Sequence, residues 1–283
     1  MNEHVLKELR QYGMAVLPDV IPAADIASLK AKVAQHREEH YAEDDPFDGD
    51  RRLKSALLWS EEVARAVTHP EALWLAREYM ETDDVHFCHQ PVVTLLKPAK
   101  ALLGTFPPGG WHSDYPYHPG VFPDAWPEQP LGLQFNICVD DFRPETAGTQ
   151  YIPGSHREGR WPPGELNERG TRPGEGVFRD VRQVEAPAGS AVVYDARTWH
   201  RACYELNASG RDRIAILNAM APAWVRPMMD KAWLTEQFEA SPVAALLDER
   251  QRREIDRLCH RSTLPTPPGM PQLNDRLMAR PSD

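Results

Sequence analysis

Seven short runs of β-forming residues follow one another between Val85 and Met220, and the stretches between them are crowded with proline. The runs are 85–98, 111–117, 131–142, 149–152, 181–185, 190–194 and 213–220. Proline fixes φ and brings no N–H to a helix or a ladder. Sixteen of the 27 prolines crowd into 106–130, 144–173 and 264–271, so these segments read as long shaped loops around a sheet, not as parts of a helical bundle. So many short strands argue for an all-β sandwich or barrel.

The flanks have a different period. Residues 5–12 read as a short helix, and Met14-Ala-Val-Leu17 is an apolar strand ended by Pro18. Ile26, Leu29 and Val33 recur at helical spacing, which predicts an amphipathic helix over 23–40, followed by an acidic, turn-rich loop over 41–52. Val63, Val67, Leu73, Leu75 and Tyr79 predict one further helix over 61–79. Segments 233–247 and 248–258 are helical again, and the proline-rich tail after Ser262 reads as irregular. A chain of 283 residues can bury one substantial core. The expected organisation is one domain over 1–283: a helical part at 1–84, a β core at about 85–222 and a helical extension at about 223–283.

A formal charge of −10 makes the average surface repel phosphate backbones and anionic lipid, so nucleic acid and membrane are not expected partners. No N-terminal signal or spanning apolar stretch is evident, and a cytoplasmic location is the default expectation. Cys88, Cys138, Cys203 and Cys259 are scattered without a paired spacing and read as free thiols.

The stretch Gly109-Gly-Trp-His-Ser-Asp-Tyr115 carries the chemistry. On a strand, His112 and Asp114 project to one side, so an imidazole nitrogen and a carboxylate oxygen can meet one cation. They are two thirds of a 2-His-1-carboxylate triad, which leaves positions open on Fe(II). Downstream the third ligand has two candidates, His156 in Pro153-Gly-Ser-His156 and His200 in Tyr194-Asp-Ala-Arg-Thr-Trp-His200. His200 is the better one, since it follows a hairpin, Ala186-Pro-Ala-Gly-Ser-Ala-Val-Val-Tyr194, and a barrel returns a late strand beside an early one. His156 follows a Pro-Gly turn and reads as structural.

An ordered set of motifs resembles the phytanoyl-CoA dioxygenase family of 2-oxoglutarate oxygenases over about residues 10–230. The pieces are Gly13-Met-Ala-Val-Leu-Pro18, His89-Gln90, Leu96-Lys-Pro98, Trp111-His-Ser-Asp114, Asp140-Asp141, Gly148-Thr149, Pro153-Gly-Ser-His156, Trp199-His200 and Asn207-x-Ser-x-x-x-Arg213. The resemblance implies a mainly β double-stranded β-helix, or jelly-roll, core with flanking helices. It also implies Fe(II), with 2-oxoglutarate and O₂ as co-substrates, and decarboxylation to succinate coupled to substrate hydroxylation. On that pattern His112, Asp114 and His200 correspond to the iron ligands, and Arg213 to the residue that binds the far carboxylate of 2-oxoglutarate. A guanidinium fork suits that task, and Arg211 is the weaker candidate because it lies nearer the turn at 208–210.

Gln90 and Thr94 sit on a strand where similar oxygenases place donors for the co-substrate. Asn136, in the apolar run Phe135-Asn-Ile-Cys-Val139, must find hydrogen-bond partners if buried, and Gln134 shares its side. Lys54 reads as an exposed lysine, with a co-substrate contact as its second reading; His86, His89 and His118 are further pocket candidates. Tyr115, Tyr117, Trp126 and Phe122 follow the metal strand and are candidate substrate-pocket walls. Specificity is expected in the insertions 116–130 and 157–177. The expected partner is a small-molecule metabolite or natural-product intermediate, with a homodimer as the candidate assembly. Radical halogenation is disfavoured, since it needs the carboxylate replaced and Asp114 is present. A desaturase or cyclase would use the same scaffold, and a non-catalytic jelly-roll binding protein would dispense with a metal ligand or the co-substrate arginine.

Overall fold

The computed structural model describes residues 2–40, 50–98, 110–167, 180–203, 206–228 and 232–259. The elements in chain order are α1 Glu3–Tyr12, β1 Met14–Leu17, α2 Ala23–His40, β2 Asp50–Leu53, α3 Glu61–Val67, α4 Pro70–Met80 and β3 Val85–Leu96. They continue with β4 Leu133–Cys138, β5 Gln150–Tyr151, β6 Arg182–Gln183, β7 Ala191–Asp195, β8 His200–Arg201, β9 Arg213–Pro222, α5 Ala232–Ala240 and α6 Glu249–Cys259. Six strands form an antiparallel sheet in the order β1-β7-β4-β9-β3-β2, and β6-β5-β8 form a smaller one. Together they are the jelly-roll core, with helices flanking the larger sheet.

Strand alternation gives the larger sheet two unlike faces. Phe87, Val93 and Leu95 of β3, Leu133, Phe135 and Ile137 of β4, and Ala191 and Val193 of β7 join one apolar cluster with residues of the helices, among them Leu9, Leu29, Leu73 and Leu258. The intervening residues, Gln90 and Thr94 of β3, Gln134 and Asn136 of β4 and Tyr194 of β7, line a cavity on the opposite face. One sheet therefore supplies both the apolar core and one wall of a polar site.

Several elements depart from the sequence expectation. The single helix expected over 61–79 is two, because Pro70 occupies the first turn of α4 and cannot continue α3. Ser60 caps α3 by accepting from the Val63 N–H at 3.2 Å. The strand expected over 111–117 is reduced to a one-residue bridge, His112 against His200, after which the chain turns with Tyr117 N–H donating to Asp114 O at 2.9 Å. Within the expected loop over 41–52, Asp50 to Arg52 belong to β2, which pairs with β3; residues 41–49 and the tail after Ser262 lie outside the described residues. The helix expected over 233–247 stops at Ala240, two residues before Pro242, and Ala244–Leu246 form a separate short turn. All four cysteines are buried, and none is in a disulfide.

Gly13 locks the N-terminal segment to the core. It ends α1 at φ +76°, and its carbonyl accepts from Asp195 N–H at 3.0 Å and Thr198 Oγ1 at 2.8 Å. A Cβ here would lie 2.5 Å from both His156 Nδ1 and Thr198 Oγ1. Gly13→Ala combines left-handed strain with this clash and should destabilise by about 2–4 kcal/mol. Calorimetry should find Tm lower by roughly 5–10 °C; an unchanged Tm would contradict the close packing of this turn.

Candidate metal centre

Among the described residues, one group of three side chains has its donor atoms gathered as a metal ion requires. His112, Asp114 and His200 each offer one ligand atom within 4.8 Å of the others. His112 and His200 face each other across the bridge, with ring centroids 4.3 Å apart. Asp114 is tied by its N–H to Ala196 O at 2.7 Å.

The ring orientations decide which nitrogens are available. His112 Nδ1 lies 2.8 Å from Gly110 O, and His200 Nδ1 lies 2.8 Å from Thr198 O. A carbonyl only accepts, so each Nδ1 carries the proton and each Nε2 keeps a lone pair. Those lone pairs converge on one carboxylate, His112 Nε2 at 3.8 Å from Asp114 Oδ1 and His200 Nε2 at 3.4 Å from Oδ2. Burial, helped by neighbouring His112, lowers the His200 pKa to about 4 against the opposing charge of Asp114, so this ring is neutral at pH 7. Two imidazoles and a carboxylate, with ring orientations fixed by backbone carbonyls, fit a divalent metal.

Beside the triad lies a cavity of about 320 Å³. Cys88, Gln90, Val92, Thr94 and Leu96 reach it from β3 at the two-residue period, and Gln134 and Asn136 reach it from β4. Arg213 enters from β9, and Arg211 is exposed in the preceding turn. Arg213 is 7 % exposed, donates from Nη1 to Ala147 O at 2.8 Å and has its guanidinium 3.9 Å from the Phe142 ring centroid. A buried guanidinium on the wall that Thr94 and Thr149 also line is chemically suited to a carboxylate. Gln90 Oε1 is buried without a hydrogen-bond partner among the described residues, an unmet polar group that a polar ligand would satisfy.

Of the substrate-wall candidates, Tyr115 lines the cavity and donates its hydroxyl to Arg226 O at 2.7 Å. Tyr117 and Trp126 do not line it. Because the chain turns after Asp114 instead of continuing as a strand, Tyr117 is swung into a small core with Trp126 and Ala196, its hydroxyl donating to Gln129 O at 2.8 Å and accepting from Leu131 N–H at 2.6 Å. Phe122 packs on Tyr117. His89 and the exposed Lys54 line the cavity, whereas His86 and His118 do not. His156 is not among the three gathered donors and donates from Nε2 to Arg10 O at 3.2 Å.

The sequence reading missed Tyr194, Cys88, Val92, Leu217 and Met228. Tyr194 is the most consequential. Its ring centroid lies 4.6 Å from that of His200, and it shares the cavity wall with Asp114 and Asn136. Burial, and then the charge of Asp114, raise its pKa well above the usual value, so the hydroxyl keeps its proton. The signal was present, since Tyr194 lies on the same side of β7 as Val192 and opposite Gln134, but an aromatic residue in an apolar hairpin arm reads as core.

The family model for phytanoyl-CoA dioxygenase matches residues 9–215. The uncharacterized proteins Rv1501 of Mycobacterium tuberculosis and Mb1539 of Mycobacterium bovis are each 23 % identical over 246 residues, covering 81 % of this chain and 78 % of theirs. Among solved structures, the epimerase SnoN in complex with Fe3+, alpha ketoglutarate and nogalamycin RO superposes with a TM-score of 0.57 at 20 % identity, over 82 % of this chain and 88 % of that one. The alpha ketoglutarate dependent carbocyclase SnoK from nogalamycin biosynthesis gives 0.57 at 21 % identity, over 83 % and 90 %. AviO1 from Streptomyces viridochromogenes gives 0.54 at 23 % identity, over 80 % and 97 %.

Removing any one of the three gathered donors should weaken binding of Co(II), a spectroscopic stand-in for iron, by more than about 100-fold. His112→Ala, Asp114→Ala and His200→Ala should each show this by calorimetry, while His156→Ala stays within about twofold of wild type. Loss on His156→Ala with retention on His200→Ala would move the third donor to His156.

Proposed function

The chain belongs to the phytanoyl-CoA dioxygenase family and is an iron- and 2-oxoglutarate-dependent oxygenase, and from that premise we propose that it hydroxylates a small-molecule metabolite or natural-product intermediate with His112, Asp114 and His200 as iron ligands. The observation that carries this reading is the placement of a buried arginine and an open-sided His-Asp-His triad on one cavity. Iron(II) held there supplies, with 2-oxoglutarate and O₂, the oxidation of a substrate C–H bond coupled to decarboxylation of 2-oxoglutarate to succinate.

The protein's own groups bind and orient. Arg213 takes the far carboxylate of 2-oxoglutarate with the part of its fork that Ala147 O does not occupy, and Phe142 beneath it supports the flat guanidinium against the wall. Gln90, Thr94 and Asn136 offer amide and hydroxyl groups along the same cavity. Tyr194, which keeps its proton on the same cavity wall, is a donor available to Asp114. Cys88, Val92, Tyr115, Leu217 and Met228 supply the less polar wall against which the substrate lies.

Asp114 occupies the place that a halogenating site would leave vacant, which favours oxygen insertion. Ring closure or epimerisation is the second reading, favoured by the activities named for SnoK and SnoN. Screening a metabolite library for substrate-dependent succinate release identifies the substrate, and mass spectrometry separates the readings: hydroxylation adds one oxygen atom to the product, the others none. No succinate with any substrate class, from iron-loaded protein, would count against the oxygenase proposal.

Arg213→Leu should raise the KM for 2-oxoglutarate by about 10²–10³-fold, the loss of a charge-assisted pair worth roughly 3–4 kcal/mol, with Co(II) affinity nearly unchanged. An Arg213→Leu enzyme with ordinary 2-oxoglutarate dependence would assign the carboxylate elsewhere. Tyr115→Ala and Met228→Ala should instead raise the ratio of succinate formed to product formed, because a loosened wall leaves the reacting C–H bond misplaced; an unchanged ratio in both would put the substrate against another wall.

A further inference from the structure

The turn between β7 and β8 touches both segments that carry the proposed ligands. Ala196 O accepts from Asp114 N–H at 2.7 Å, Arg197 O accepts from Ser113 Oγ at 3.0 Å, and Thr198 O faces His200 Nδ1 at 2.8 Å. Three successive carbonyls thus converge on the metal centre. Along an extended chain successive carbonyls point to opposite sides, so this convergence depends on a sharply shaped turn.

Asp195 shapes it. Its Oδ1 accepts from Arg197 N–H at 2.7 Å, and its carbonyl accepts from Thr198 N–H at 2.8 Å, an Asx-turn arrangement. The residue is fully buried, so its charge needs a partner, and Arg197 supplies it as a fork, Nε to Oδ1 at 3.0 Å and Nη2 to Oδ2 at 2.7 Å. Tyr79 donates a further bond to Oδ2 at 2.6 Å from the helical side of the sheet. The third guanidinium nitrogen, Nη1, donates to Pro127 O at 3.3 Å and to Glu128 O, and the guanidinium lies 5.6 Å from the centroid of the Tyr117 ring. The same side chain therefore holds the turn that leads into His200 and the loop that leaves Asp114.

We propose that the Asp195–Arg197 pair is the positioning unit of the metal centre, fixing the turn whose carbonyls orient Asp114 and His200 and clamping the loop at 115–131. Neither residue lines the cavity, so the pair acts through the proposed ligands and not on metal or substrate. The inference rests on the assignment of His112, Asp114 and His200 as ligands. A pair that served only to hold the fold together would be replaceable by any fold-preserving pair without effect on the metal.

The test uses metal-free full-length protein titrated with Co(II), followed by calorimetry and by the visible cobalt bands, at a temperature where circular dichroism shows each variant folded. Arg197→Lys keeps the charge and loses the fork. The double variant Asp195→Asn with Arg197→Met removes both charges, so no unpaired ion is left buried. Leu258→Ala, in the buried face of α6, is a destabilising control away from the site. Arg197→Lys should weaken Co(II) binding by roughly 10-fold and the double variant by about 10–100-fold, each with altered cobalt bands, while Leu258→Ala lowers Tm and leaves the affinity within about twofold. Wild-type affinity in Arg197→Lys and in any folded double variant, or an equal loss in Leu258→Ala, would overturn the positioning role. His200→Ala separates the two levels of inference: if it binds Co(II) as wild type does, the ligand assignment fails, and if it loses binding while the Arg197 variants keep it, only the positioning role fails.

Discussion

A single residue pair, His112 against His200, holds the candidate site in register. His112 N–H donates to His200 O and His200 N–H donates to His112 O, both at 3.0 Å. A hydrogen-bonded antiparallel pair sends its two side chains to the same face, so this exchange alone sets the imidazoles side by side. A slip of one residue would bring Trp111 or Ser113 opposite His200 and turn His112 to the other face. The second tie, Asp114 N–H to Ala196 O, blocks that slip and holds the carboxylate in place. With no long strand at 111–117 to average out errors, these few bonds and the turn at 195–199 carry the register of the site.

The larger sheet makes such a site tolerable within a small protein. Its helix-facing residues close an apolar cluster that reaches from Val5 to Cys259, so the stabilising burial lies on the face away from the cavity. The cavity face can then carry Gln90, Thr94, Gln134, Asn136 and Arg213, all groups that a core would exclude unless hydrogen-bonded. Arg213 shows the compromise. It shares its strand with Ala215 and Ile216, fully buried apolar residues, and keeps its charge at the cavity by resting on Phe142 and bonding Ala147 O.

The elements that were legible in the sequence are those whose pattern is local. The β3, β4, β7 and β9 runs are rich in β-forming residues, and His112 and His200 are marked by their neighbours, so the sheet and the gathered triad could be anticipated. Tyr117 was misread because strand alternation was extended past Asp114, where a turn intervenes; nothing in Tyr115-Pro-Tyr-His118 besides Pro116 signals it. Tyr194 was passed over because an aromatic residue in an apolar hairpin arm reads as core until the groups that share its cavity wall, Asn136 and Asp114, are seen beside it. The break between α3 and α4, by contrast, was written in Pro70 and could have been read.

The unequal exposure of the two histidines explains why the chemistry of this chain is easier to read than its substrate. The His200 side chain is 5 % exposed and that of His112 41 %, so the centre is closed on the β7–β8 side and open on the other. Everything on the closed side, Tyr194, Asn136 and the turn at 195–199, is held by strands or by buried hydrogen bonds, and strand-held groups leave a periodic trace in a sequence. The open side is bounded by Lys54, Tyr115 and Met228, residues that stand outside every strand. Met228 is placed by one backbone bond, its N–H to Cys88 O at 2.9 Å, and Tyr115 by its hydroxyl on Arg226 O. Loop residues of this kind can change without disturbing the sheet behind them, which lets one scaffold serve many substrates. The 223–228 segment and the turn after Asp114 thus meet beside the cavity in a tertiary contact between two segments more than a hundred residues apart.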